Sequence, residues 1–415
     1  MSLKHGWTGG QYSLFRVLLG CYLLQHFLFL LPWGAEMFSS RGALPDAGAS
    51  PLIHLFPNIL AVADSPAVVS ALISTGAALT LLFIVGQGDR WAALGIWYVW
   101  ACLLGRNPLI SNPSLPYVGW ILLAHACLPL APYGSWAARR RADPNGAWTL
   151  PPAIFLVGWI LMALGYSYSG YTKLVSPSWV DGTALARVLE NPLARPTFLR
   201  EWALAMPPLL LRLATWGSLA LELGFAPLAL FRPLRPFVWT AMLALHTGLF
   251  ATLDFADLTA GMVFLHLWTF DPAWVAPRRT DKPETLFYDW SCALCHGCVR
   301  FVLAEDRSPG AWRFAPLDSE AAARNISDDD RRNLPDSLAV RTAGGPLLTR
   351  SRAVLHILAS LGGYWRVLAT IGRVVPRAVA DLAYDAVASV RYRLFGRSPD
   401  ACPLIPADLR SRFLA

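Results

Sequence analysis

Apolar runs of bilayer length recur through the first 270 residues and then stop, and this pattern constrains the fold more than any single motif. The runs lie at about 12–31, 67–86, 91–105, 115–131, 152–173, 208–231, 236–252 and 256–270. Each approaches the roughly 20 apolar residues that a helix needs to cross a hydrocarbon core, and the shorter ones require tilt or protein cover. With 55% hydrophobic and 15% charged residues and a mean hydropathy of +0.42, the chain holds more apolar material than one soluble core uses. From Pro277 onward Arg, Asp and Glu return to soluble density. The expected architecture is a multi-span α-helical membrane domain of about eight spans over 1–275, followed by a small α/β domain over 284–415. The first run lacks a small-x-small exit and reads as a retained span rather than a cleaved signal.

The net charge of +8 has an address. Lys4, Arg90, Arg139-Arg140-Arg141, Arg232, Arg235, Arg278, Arg279 and Lys282 flank the apolar runs on alternate connections. The positive-inside bias then places both termini in the cytoplasm of a multi-pass protein of the cell membrane. Membrane lipid accounts for the basic residues, and nucleic acid is not an expected partner. Arg187, Arg195 and Arg200 depart from the pattern but sit in a long connection, where the bias is weak. Residues 50–64, with Pro51, His54 and Pro57, read as a re-entrant or interfacial segment, and 174–207 is too long for a mere tether. Trp33, Trp91, Tyr117, Tyr133, Trp136 and Trp179 lie near run ends, as an interfacial belt requires. Within the runs Arg16, His26, His125, Glu222, His246 and His266 are costly unless paired, and Arg16 with Glu222 is the expected buried pair.

The fifth run carries the densest polar chemistry, Tyr166-Ser167-Tyr168-Ser169-Gly170-Tyr171-Thr172-Lys173-Leu174, followed by Trp179-Val180-Asp181-Gly182. The pattern Tyr-x-x-Ser-Gly-x-x-Lys-Leu with Trp-x-x-Gly resembles the HTTM superfamily, the membrane domain shared with vitamin K-dependent gamma-carboxylase, over about 1–270. The resemblance implies a quinone or lipid-like pocket in which Lys173 is the base toward a hydroquinone; the position of His246 in Leu245-His246-Thr247-Gly248 lets it face the same cavity, and Tyr171 beside Lys173 is the further candidate ligand-binding residue. The large lumenal region with which the carboxylase binds peptides has no counterpart after residue 270, so protein carboxylation is not expected.

The C-terminal region opens on a strand-like Thr285 to Tyr288 that runs into Asp289-Trp290-Ser291-Cys292-Ala293-Leu294-Cys295. An amphipathic helix to Glu305, a strand over Trp312 to Leu317, a helical stretch near 319–333 and a hairpin of Ser337–Arg341 with Leu347–Thr349 across Gly344-Gly345 follow. Ser351 then caps a helix to about Leu361, which completes the β-α-β-α-β-β-α order of a thioredoxin-like domain. The apolar stretch 353–375 contains Gly362-Gly363, Arg366 and Arg373 and reads as two amphipathic helices rather than a further span.

In this context a Cys-x-x-Cys carries chemistry. Cys292 falls at a helix N-terminus, where the dipole and unpaired N–H groups support a sulfur anion, and Cys295 lies one turn later. Cys292 attacks and Cys295 resolves. Tyr288-Asp289-x-x-Cys292-x-x-Cys295, with Ser351-Arg352-Ala353-Val354, Leu361-Gly362-Gly363, Arg391-Tyr392-Arg393-Leu394-Phe395-Gly396 and Cys402, resembles the DCC family of thiol–disulfide oxidoreductases over about 284–415. The family's Asp falls on Asp289, whose carboxylate either orients or deprotonates a cysteine, or holds the strand-to-helix turn. Trp290 stands where the family usually has Gly, and Ala293 where Pro is common. Cys298 and Cys402 leave both iron–sulfur and zinc spacings incomplete, so no metal is expected and the dithiol needs no cofactor. The combined expectation is a membrane-bound thiol–disulfide oxidoreductase acting on protein or small-molecule thiols and disulfides, coupled to a quinone in the membrane domain. The alternative is a non-catalytic redox-sensing membrane receptor or transporter.

Overall fold

The computed structural model describes residues 5–144, 147–255, 257–278, 280, 282–308, 310–332, 334, 338–397 and 407–414. Lys4, Arg279, Ser337 and Cys402, which enter the expectations above, lie outside the described residues. The chain divides into two compact units, one of 1–3, 15–128 and 151–270, the other of 4–14, 129–150 and 271–415.

Eight helices of ten or more residues precede the sheet among the described residues: α1 (Gly9–Leu30), α2 (Pro66–Val85), α3 (Asp89–Arg106), α4 (Leu115–Ala126), α5 (Pro152–Lys173), α6 (Pro208–Ala229), α7 (Arg235–Thr252) and α8 (Leu258–Thr269). Only α1, α2, α5 and α6 are long and apolar enough to cross a membrane, so four candidate spans replace the eight expected. The reasons are physical. At 12 residues, α4 and α8 extend about 18 Å, short of a hydrocarbon core of about 30 Å. Charges at Asp89, Arg90 and Arg106 lie inside α3, and α7 holds Arg235, Thr240, His246, Thr247 and Thr252. Residues 50–64 form turns with one short 3-10 helix, Ile59–Ala61, and 174–207 folds into three short helices.

Polar groups in the helical unit are paired in ways that composition alone does not reveal. The expected Arg16–Glu222 pair does not form. Arg16, fully buried, donates from Nη1 to Asp89 Oδ2 at 3.1 Å, and Glu222 instead meets Lys173. Asp89 is closer in sequence to the turn after α2, where Gly86 at φ +74° leaves space that a Cβ would take from the Arg16 guanidinium. In α6, Pro227 has no N–H for the Leu223 carbonyl four residues back. Ser167 Oγ of α5 supplies the donor at 3.1 Å and accepts from Ala226 N at 3.0 Å, a repair that apolar surroundings demand. Gly170 lets α5 approach closely there, since a Cβ would lie 2.8 Å from Leu223 N.

The second unit is built on β1 (Glu284–Tyr288), α9 (Ala293–Glu305), β2 (Trp312–Pro316), α10 (Glu320–Asn325), α11 (Asp328–Arg332), β3 (Leu338–Arg341), β4 (Leu347–Thr349), α12 (Arg350–Leu361), α13 (Gly363–Gly372) and α14 (Arg377–Phe395). The sheet order is β2-β1-β3-β4, with β1 parallel to β2 and antiparallel to β3, and β3 antiparallel to β4. Side chains alternate across it. Leu286, Tyr288, Phe314 and Val340 pack with Cys295, Val299 and Val302 of α9 and Ile357 of α12. Phe287, Ala315 and Ala339 face Ala321, Ala322 and Ile326 on the other side. The expected helix near 319–333 is two short helices, because Ile326 and Ser327 intervene. The run 353–375 is two helices as expected, broken by left-handed Gly362 (φ +74°) and Gly363 (φ +55°). Ser351 does not cap α12, whose N-cap is Thr349; its N–H and Oγ donate to Asp381 of α14.

The last residue of α9, Glu305, is buried and gathers three donors: Thr8 Oγ1, Gly10 N at 2.8 Å and Trp365 Nε1 at 2.6 Å. Its carboxylate thus occupies the N-terminus of α1, where N–H groups lack helical partners. Burial raises the Glu305 pKa against the opposing pull of these donors. A carboxyl with a raised folded pKa contributes its full stability below the unfolded value, and that contribution is lost as pH rises through the folded pKa. Urea unfolding followed by tryptophan fluorescence should therefore show parent stability falling relative to Glu305→Gln as pH rises from about 4 to 7. Glu305→Ala, which strands the donors, should cost about 3 kcal/mol near pH 4, and the gap to the parent should narrow as pH rises.

Candidate active site

The two cysteines reach one another because a strand ends and a helix begins within four residues. Cys292 is the N-cap of α9, with extended backbone (φ −98°, ψ 117°), and Cys295 lies in the first helical turn. Both are free thiols, both are buried, and they are in mutual hydrogen-bond contact. Burial, then the neighbouring Cys292 sulfur, push the Cys295 thiol well above the ordinary cysteine range. Cys298, one turn further on, is pushed up to about 12 by burial. Both therefore rest as protonated thiols at neutral pH. His296 donates from Nε2 to the Trp290 carbonyl and packs edge-on against Tyr288, while the Trp290 side chain is 41% exposed.

Asp289 closes the turn. Its Oδ1 accepts from Ser291 N at 2.9 Å and Ser291 Oγ at 2.8 Å, an Asx-turn geometry. Its Oδ2 accepts from Tyr392 Oη and, at 3.4 Å, from Arg391 Nη2, both on α14. Burial acts to raise the Asp289 pKa, but the bonds from Tyr392, Ser291 and Arg391 outweigh it and hold the carboxyl below its usual range. A carboxylate so engaged is a poor proton acceptor and a good anchor. Arg391 and Tyr392 are the functional neighbours that sequence reading missed; they stood in the Arg391–Gly396 block, yet no local pattern links them to a carboxylate about a hundred residues away.

A family model described as DCC1-like thiol-disulfide oxidoreductase matches residues 286–397. The uncharacterized protein YuxK of Bacillus subtilis (strain 168) is 32% identical over 135 residues, which cover 32% of this chain and 93% of that protein. A chloroplastic DCC family protein of Arabidopsis thaliana is 35% identical over 124 residues, 30% of this chain and 71% of that protein. The chain belongs to the DCC1-like family through its C-terminal part. No solved structure matches it. The DCC1-like match spans the whole constellation of Asp289, Cys292, Cys295, Arg391 and Tyr392.

Lys173 and His246, two of the three residues singled out in the helical unit, lie in polar clusters of their own. Lys173 Nζ donates to Glu222 Oε1 at 2.5 Å and to Ser169 Oγ at 3.2 Å, and stands 4.7 Å from the Trp179 ring centroid. Tyr166 Oη is 2.7 Å from His246 Nε2 and 3.4 Å from His266 Nδ1. His246 Nδ1 is buried without a hydrogen-bond partner among the described residues. Tyr171, 66% exposed, is not part of this cluster. Among the described residues no group of three or more His, Cys, Asp or Glu is arranged to hold a metal.

The depressed pKa of Asp289 gives a sign to its pH dependence. Its contribution is present above the unfolded carboxyl value and is lost as pH falls through the folded pKa. Asp289→Asn should destabilise the full chain by about 2 kcal/mol in urea at pH 7, and the gap to the parent should close as pH drops below about 4.

Proposed function

We propose that the C-terminal domain is a thioredoxin-like thiol–disulfide oxidoreductase, carried by a membrane protein, that exchanges its dithiol with protein disulfides. The observation that supports this most is the pair of buried, touching thiols at the N-cap and first turn of α9, fixed there by Asp289. The exchange balances. Cys292 gives up its proton and attacks one sulfur of the substrate disulfide; a mixed disulfide forms and the first substrate thiolate leaves and is protonated. Cys295 then attacks Cys292 Sγ, releasing the second substrate thiol and leaving a Cys292–Cys295 disulfide. Two electrons and two protons have passed to the substrate, and an external thiol returns them. Asp289 orients the turn through its four hydrogen bonds, and Cys295 stays protonated until the mixed disulfide forms.

With dithiothreitol as reductant, purified full-length protein should reduce insulin disulfides, Cys292→Ser should lose all of this activity, and Cys295→Ser should accumulate the mixed disulfide, seen by mass spectrometry. Equal rates for parent and Cys292→Ser would leave the redox-sensing receptor as the better reading.

A second reading concerns the helical unit, where we propose a quinone or other lipid-like ligand. It is supported by the orphaned His246 Nδ1 beside Tyr166, a buried polar atom that a ligand oxygen would satisfy. Such a ligand would supply reversible two-electron chemistry. Tyr166 and His246 would hold its oxygen, while Lys173 is already ion-paired with Glu222 and would act as a base only after that pair opens. Menadione quenching of tryptophan fluorescence should saturate with parent protein and weaken about tenfold in His246→Ala, the loss of one hydrogen bond to a buried group.

A further inference from the structure

The proposed nucleophile is shut away. Cys292 has no exposed surface, yet a thiolate must reach an incoming disulfide before it can attack. Its side chain packs in the core with Leu286, Tyr288 and Cys295, and the two residues that follow α14 lie along its backbone. Arg397 forms an antiparallel bridge with Cys292, and the Ala293 N–H donates to the Gly396 carbonyl at 3.4 Å.

Apart from the Ser351 and Arg350 contacts to Asp381 and Asp385 in its first half, α14 is fastened at one point near its end. Arg391 is the buried residue of α14 among those described, while Val379, Leu382, Leu394 and Phe395 are exposed. Few buried contacts mean a low local opening energy. The fastening is the Asp289 carboxylate, which accepts from Tyr392 and Arg391 one turn before the bridge, and the Arg397 guanidinium stacks on the Tyr392 ring at 4.8 Å. Gly396 itself sits at φ +80°, ψ 174°, a conformation that residues with a Cβ avoid, although a Cβ there would meet nothing within 4 Å.

We propose that residues 391–397 form a latched strap that occupies the substrate groove, and that the substrate is an extended polypeptide segment which displaces Gly396–Arg397 and pairs with Cys292 in their place. The inference rests on the oxidoreductase reading. Its chemistry is that of strand addition: Ala293 N–H, at the first turn of α9, needs a carbonyl when the strap leaves, and a peptide backbone delivers one where a small disulfide does not. Trp290, exposed beside the turn, offers apolar surface to the same segment. Asp289 and Tyr392 are then positioning residues, setting how readily the strap opens.

The strap can be read without turnover. In full-length reduced protein, iodoacetamide labelling of Cys292 and Cys298 is followed by peptide mass spectrometry for the parent, Gly396→Ala and Tyr392→Phe. Gly396→Ala strains only the strap backbone and Tyr392→Phe removes only the latch hydroxyl; each should speed Cys292 labelling about tenfold while Cys298 stays slow. Each should also lower the KM for insulin and, because cystine must reach the same sulfur, speed the reduction of cystine. No acceleration at Cys292 in either variant, or equal acceleration at Cys298, overturns the strap. Acceleration at Cys292 in protein that reduces no insulin keeps the strap and sinks the oxidoreductase reading.

Discussion

A single carboxylate organises the C-terminal unit. Asp289 stands where β1 gives way to α9, and its two oxygens serve different partners: Oδ1 closes the turn through Ser291, and Oδ2 receives Tyr392 and Arg391 from α14. The first set fixes the backbone that presents Cys292 at the helix N-cap. The second ties a helix from the far end of the domain to the same turn. Because a charged acceptor roughly doubles the strength of each hydrogen bond it receives, both tasks depend on this group being ionised, and its neighbours hold it so.

The helical unit solves a different problem, that of polar groups without water. Arg16 finds Asp89, Lys173 finds Glu222, and the carbonyl freed by Pro227 finds Ser167. Each is a pairing between segments distant in sequence, and each removes a cost that apolar surroundings would impose on an unpaired group.

These pairings mark the limit of what the sequence discloses. The strand and helix order around the cysteines was legible because the short apolar run of Thr285 to Tyr288, the Gly-Gly of the hairpin and the Gly362-Gly363 break are local signals. The number of spans was not, because apolar composition is shared by helices that cross a bilayer and by shorter ones buried in protein, as α4 and α8 are. Arg16 was recognised as needing a partner, but polarity ranks Glu222 and Asp89 alike and only the fold chooses. Ser351 looked like a cap and proved to be a tether to Asp381, since a serine hydroxyl serves either role and the competing acceptor lies 30 residues away.

Glu305 joins two distant parts of the chain. YuxK is matched over 93% of its length by a third of this chain. In the present chain the same helix that begins at the dithiol ends on a buried carboxylate whose partners, Thr8 and Gly10, come from the other extreme of the polypeptide. Glu305 therefore ties the end of the dithiol helix to the segment that opens α1, so that one buried carboxylate joins the two ends of the second unit.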